Sequence, residues 1–214
     1  MKKFICIILL VFCLFSFGCS KKNNYSQNVS QIRSNVYFGT DQNYSVEVFA
    51  EQRENPFIND AVASSKQNYI IVRVLNQSSP LSITAKFSGD TYTQVATYNP
   101  HATSMVAQIE VETLPSSSVS IVIEKDETQA EINCQSLLKS DTISPLNALN
   151  SVISKEKTFI NSISKNGKLN AEIYIRLLAE NDNNFYYVGF GQGTNKITAY
   201  LLDGKTGEII AGKN

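Results

Sequence analysis

The chain has 214 residues and a mass of 23.7 kDa, with 43% apolar and 18% charged side chains, which suits one large or two small folded units and excludes a disordered tail. Lys+Arg and Asp+Glu both total 19, so the basic excess on which duplex nucleic-acid binding relies is missing and no nucleic-acid partner is expected. With one histidine and no tryptophan, the side chains that usually carry acid/base or metal chemistry are scarce.

Lys2 and Lys3 precede an apolar run from Phe4 to Phe17. A membrane-crossing helix needs about 20 apolar residues, so this shorter run with a basic start reads as a secretory signal peptide over residues 1–18. The run ends in Ser16-Phe17-Gly18-Cys19, which resembles the bacterial lipoprotein box, where a small residue precedes a cysteine that is lipidated on sulfur and becomes the new N-terminus. The resemblance implies lipidation with palmitate-type chains at Cys19. It also implies a bacterial membrane location facing the periplasm or the exterior. Each buried methylene contributes about 0.8 kcal/mol, so two or three acyl chains hold such a protein on the bilayer. Cys6 and Cys13 leave with the signal, so Cys134 stands alone and no intramolecular disulfide is expected.

Residues 19–34 are mostly Ser, Lys, Asn and Gln and read as a lipidated flexible tether, because they bury too little apolar surface to fold. From 35 to 140 the pattern has period two: Tyr44/Val46/Val48, Leu81/Ile83/Ala85/Phe87, Met105/Ala107/Ile109/Val111 and Val119/Ile121/Ile123 alternate with polar residues. Asn55-Pro56, Ser79-Pro80, Ser88-Gly89-Asp90 and Asn99-Pro100 punctuate it. Short strands at this spacing predict an antiparallel β-sandwich of about seven or eight strands.

At Ser144-Pro145 the period changes. Ser144 suits a helix cap and Pro145 its first turn; Leu146, Leu149, Val152, Ile153, Ile160 and Ile163 follow at helical spacing until Asn166-Gly167, predicting one amphipathic helix. Three or four antiparallel strands come next: Leu169 to Glu180, Phe185 to Gly191, Asn195 to Leu202 and Glu208 to Ala211. The whole is mainly β, α+β in class, with a sandwich domain over 35–140 and a helix-plus-sheet domain over 144–214. The latter closes with Leu202-Asp203-Gly204-Lys205-Thr206-Gly207-Glu208-Ile209 and, over residues 145 to 212, resembles the small PepSY module of bacterial envelope proteins. That resemblance implies modulation of an envelope peptidase as one function.

No catalytic constellation stands out. His101 follows Asn99-Pro100 in a turn with no metal-ligand neighbours, Cys134 shares the alternating side of Ala130 and Ile132, and neither a nucleophile elbow nor a calcium loop is present. Gly189-Phe190-Gly191-Gln192-Gly193 and Gly204-Lys205-Thr206 lack the spacing of a phosphate loop and read as hairpin turns. Arg53-Glu54, with Glu51 nearby, reads as a solvated edge. No metal, no cofactor and no catalytic residue is expected. The surface that invites binding is one face of the C-terminal sheet: if Ile173, Ile175, Leu177, Phe185 and Tyr187 meet the helix, alternation sends Tyr174, Arg176, Tyr186, Phe190 and Tyr200 to the other side. That aromatic face either packs on the sandwich or forms a platform for a ligand or an envelope protein partner. The function expected is a non-catalytic binding or structural role at the envelope. PepSY-like peptidase modulation is the alternative, and a hydrolase whose paired carboxylates only the fold would reveal is the second.

Overall fold

Backbone pairing in the computed structural model, which describes residues 25–56, 60–193 and 196–213, turns on its first strand, β1 (Val29–Thr40). A bulge between Arg33 and Asn35 bends it; the next strand in the chain runs along both halves, while on the other side the first half and the second take different neighbours. The second half opens an eight-stranded antiparallel barrel with β2 (Ser45–Glu54), β3 (Lys66–Leu75), β4 (Leu81–Phe87), β5 (Asp90–Asn99), β6 (Ser104–Val111), β7 (Ser118–Lys125) and β8 (Thr128–Ser136). The order around it is β1-β2-β3-β6-β5-β4-β7-β8, and β8 returns to β1 through Tyr37↔Ser136 and Phe38↔Gln135. The expected sandwich is therefore a closed barrel. Alternation is the same in both architectures; what differs is the last ladder. Gly39 allows it, because a Cβ there would stand 2.8 Å from Ile132 Cγ2 and 3.0 Å from the Asn133 carbonyl oxygen of β8.

The barrel encloses a filled core, not a channel, as expected for eight strands. Val46, Val48, Ile70, Val72, Ile83, Met105, Ile121 and Ile123 point inward and are buried. Cys134 belongs to the same core, and burial pushes its thiol pKa up to about 12.

The first half of β1 pairs in parallel with β11 (Glu172–Glu180), from Val29↔Ile173 to Arg33↔Arg176. An antiparallel meander continues through β12 (Asn183–Gln192), β13 (Lys196–Asp203) and β14 (Ile209–Lys213). The four strands expected after the helix are present. The tether and the domain boundary need correction: Tyr25–Asn28 form a 3-10 turn and Val29–Ser34 are strand. Their polar side chains are held by the fold. Asn28 Nδ2 donates to the carbonyls of Ala61 (2.9 Å), Leu169 and Ala171 (3.2 Å each), and Asn35 Oδ1 accepts from the Ser136 hydroxyl. Polarity misleads here because segments distant in the chain, from the β2–β3 connection to β8 and residues 169–171, supply the hydrogen-bond partners.

The single expected helix is two. α1 (Pro145–Lys155) is capped by Ser144, whose hydroxyl accepts the Asn147 N–H at 3.2 Å, and α2 (Lys157–Ser162) starts after a break at Glu156 (φ −102°, ψ 40°). The break aims Phe159 at Phe190 and Tyr200, with ring centroids 5.4 and 5.7 Å away. Between α2 and β11, Ser164–Lys165 (β9) and Lys168–Leu169 (β10) form a small hairpin about Asn166-Gly167. Among the described residues no helix is long and apolar enough to cross a membrane. Cys19 and the signal segment lie outside the described residues.

Candidate functional site

Asn181 and Asp182 both have positive φ and make a two-residue turn in which Glu180 pairs with Asn183. Such a turn pairs odd-numbered positions with even-numbered ones, so Ile173, Ile175 and Leu177 stand opposite Phe190, Val188 and Tyr186. Tyr186 and Val188 in turn oppose Leu202 and Tyr200. Tyr186, Phe190 and Tyr200 do share a face, but it is the face beneath the helices. They join Leu149, Val152, Ile160 and Ile163 in the second core, and the Tyr186 hydroxyl donates to the Ile143 carbonyl at 2.8 Å. The expectation that these three stand with Tyr174 and Arg176 is corrected: carrying alternation in step across an even-length turn exchanges the faces.

Tyr174 and Arg176 remain on the other side, joined by Tyr187, Gly189 and Ile197. β1 to β3 extend the sheet sideways, so this surface runs onto the outside of the barrel and opens as a cleft of about 510 Å³. Its lining is Gln31, Arg53, Glu54, Asn55, Tyr69, Tyr174, Arg176, Tyr187 and Ile197. The two glycines of β12 that alternate with Val188 and Phe190 lie beneath two of its tyrosines. A Cβ on Gly189 would meet the Tyr187 ring at 2.8 Å, and one on Gly191 would meet the Tyr174 hydroxyl at 2.8 Å. The glycine-rich run is thus mostly strand, not turn; only Gly193, with φ 59°, has turn geometry.

All four arginines of the chain, Arg33, Arg53, Arg73 and Arg176, lie on the adjacent strands β1, β2, β3 and β11. Each sits over a ring: Arg33 over Phe49 at 4.0 Å, Arg73 over Phe49 at 5.8 Å, Arg53 over Tyr69 at 4.6 Å, Arg176 over Tyr187 at 5.7 Å and Tyr174 at 5.8 Å. Stacking pre-orders the planar guanidinium and costs it little hydration. Two of the four are neutralised. Arg33 Nε meets Glu51 Oε1 at 2.7 Å and Arg73 Nη1 meets Glu47 Oε2 at 2.9 Å. Burial lowers the Arg33 pKa against the opposing pull of Glu51. Gln31 links this pair to the cleft, donating to Glu51 Oε2 at 2.7 Å and accepting from Arg176 Nε at 2.8 Å. Glu51 is therefore a buried hub, not part of a solvated edge.

Two buried carboxylates, Glu54 of the lining and Glu172 of β11, hold backbone of the β2–β3 connection. Glu54 accepts the Ser64 N–H and Glu172 accepts the Asp60 N–H at 2.9 Å, which ties down the described parts of the β2–β3 connection. Burial pushes the Glu172 pKa up, against the backbone N–H of Asp60 and with a smaller push from Glu54. Burial likewise raises the Tyr174 phenol to about 12.

Sequence reading missed Tyr187, Tyr69 and Arg53. The signal that could have found Tyr187 is the glycine at every second position after it, which marks a strand face with something lying flat on it. His101 is exposed in the β5–β6 turn, its backbone N–H donating to Asn99 Oδ1. Asp203 organises the Asp-Gly-Lys-Thr-Gly turn, accepting from the backbone N–H groups of Lys205 and Thr206 and from the Thr206 hydroxyl. Among the described residues no group of three or more His, Cys, Asp or Glu side chains could hold a metal ion. Compared with known proteins, the chain matches no family model, no curated protein and no solved structure.

Proposed function

We propose that the chain is a lipid-anchored bacterial envelope protein, attached through Cys19, that binds a ligand or an envelope partner in the Arg/Tyr cleft without a catalytic step of its own. The observation that carries the binding reading is the gathering of every arginine onto four adjacent strands, each over an aromatic ring. Arginine and tyrosine are the residues that concentrate binding energy at recognition surfaces. The membrane location rests on the lipoprotein-type segment ending at Cys19, and PepSY-like peptidase modulation rests on the resemblance of residues 145 to 212 alone.

Photo-crosslinking in cells tests the binding reading. Benzoylphenylalanine in place of the exposed Ile197, at the cleft rim, should give crosslinked species that the same group at the exposed Val95 of the barrel does not. Identical patterns from the two positions would overturn it. Cys19→Ala should abolish palmitate labelling; equal labelling of wild type and variant would remove the anchor from the account.

A further inference from the structure

We propose that the cleft takes a small organic anion, with its carboxylate or phosphate oxygens on the guanidiniums of Arg53 and Arg176 and its ring-bearing body against Tyr69, Tyr174 and Tyr187. This rests on the reading of the cleft as a binding site and adds the ligand's charge and shape. The four arginines divide into two that have carboxylates and two that do not. Glu51 is taken by Arg33 and Gln31, Glu47 by Arg73, and Glu54 by the Ser64 N–H. Among the described residues Arg53 and Arg176 form no ion pair, and they are the two that line the cleft.

A guanidinium has five N–H donors. Arg176 uses Nε on Gln31, which fixes the plane of the group, and among the described residues no protein acceptor meets its terminal nitrogens or those of Arg53. Such a fork matches the paired oxygens of a carboxylate or phosphate. Gln31 stands beside both Arg53 and Tyr174 in register, while Arg176 is opposite Arg33. The two arginines are thus two strand spacings across and two residues along from each other, roughly 12 Å, and long side chains from either wall reach one bound group. Among the described residues Glu54 is the single acidic side chain of the lining, and it is buried with its carboxylate on backbone, so the accessible charge there is positive. The volume of about 510 Å³ lies in the range of small-molecule sites. Glycine supplies the shape: the rings of Tyr187 and Tyr174 lie flat against β12 at Gly189 and Gly191, where an added Cβ would stand 2.8 Å from each side chain.

The experiment is saturation-transfer NMR on the full chain in mild detergent with four single-ring probes: benzoate, phenyl phosphate, benzamidine and benzyl alcohol. Benzoate or phenyl phosphate should bind at least about tenfold tighter than benzamidine, and the tighter of the two identifies the anion class. Arg53→Gln and Arg176→Gln should each weaken the anion about tenfold or more with unchanged melting. Gly189→Ala, which keeps both arginines, should also weaken it by lifting the Tyr187 ring into the cleft. Anion binding that both arginine variants retain overturns the proposal. If benzamidine or benzyl alcohol binds as tightly and Tyr187→Ala abolishes that binding, the cleft stands as a binding site and its anion preference falls. If none of the four binds, the small-anion proposal falls, and the crosslinking at Ile197 decides separately whether the cleft binds a partner.

Discussion

The two faces of the β11–β13 sheet carry similar residues to different ends. Beneath the helices Tyr186, Phe190 and Tyr200 are buried among aliphatic side chains, and Phe159 closes the set edge-on to Phe190. On the opposite face Tyr174 and Tyr187 have glycine below them and a guanidinium beside them. Aromatic content alone therefore says little about binding. What distinguishes the faces is the partner each ring is given: hydrocarbon on one side, which makes a core, and stacked cations on the other, which leaves a polar cleft with apolar walls.

Substitutions sharpen or break this contrast. The largest effect is expected on the helix side, where Phe190→Ala should cost about 3–5 kcal/mol in urea unfolding, as large-to-small changes of core aromatics do. A cost below about 1 kcal/mol would return Phe190 to the surface. Next comes the hub under the cleft: Glu51→Ala leaves Arg33 half-buried without its carboxylate and should cost about 3 kcal/mol, while Glu51→Gln, which keeps an acceptor, should cost less.

Glu172→Gln should act in the opposite direction. The wild-type carboxyl has a raised pKa in the fold, so its protonated form is favoured there, and the stability this gives at low pH is lost as pH rises through the raised value. Gln is neutral throughout and keeps an acceptor for the Asp60 N–H. The variant should exceed wild type by about 1 kcal/mol at pH 7, with the gain shrinking toward pH 4.5; a pH-independent difference would show that the carboxyl does not ionise between these points. The smallest stability effect belongs to the cleft, where Tyr187→Ala should stay within about 0.5 kcal/mol of wild type and still abolish probe binding.

Much of this architecture is legible in the chain. The strands, the Ser144 cap and the glycine- and asparagine-rich turns follow from periodicity and turn chemistry, because those signals are local. Barrel closure is not legible, since it depends on β8 finding β1, and alternation reads the same in a sandwich. The strand nature of Val29–Ser34 is hidden by its polarity, which long-range partners such as Ile173 and Glu51 satisfy. The cleft was half legible. Tyr174 and Arg176 were found from alternation along β11, but one two-residue turn decides which face of β12 joins them, and reading across it in step exchanged Tyr187 for Tyr186. Arg53 and Tyr69 come from more than a hundred residues earlier in the chain and reach the cleft only because β1 bridges the barrel and the sheet.

The most direct measurement is 19F NMR of the full chain labelled with 3-fluorotyrosine, with the ten tyrosine signals assigned by single Tyr→Phe substitutions and benzoate as titrant. The account predicts that Tyr69, Tyr174 and Tyr187 shift together with one saturating dependence while Tyr186 and Tyr200 stay in place. Shifts confined to Tyr186 and Tyr200, or spread equally over all five, would contradict it.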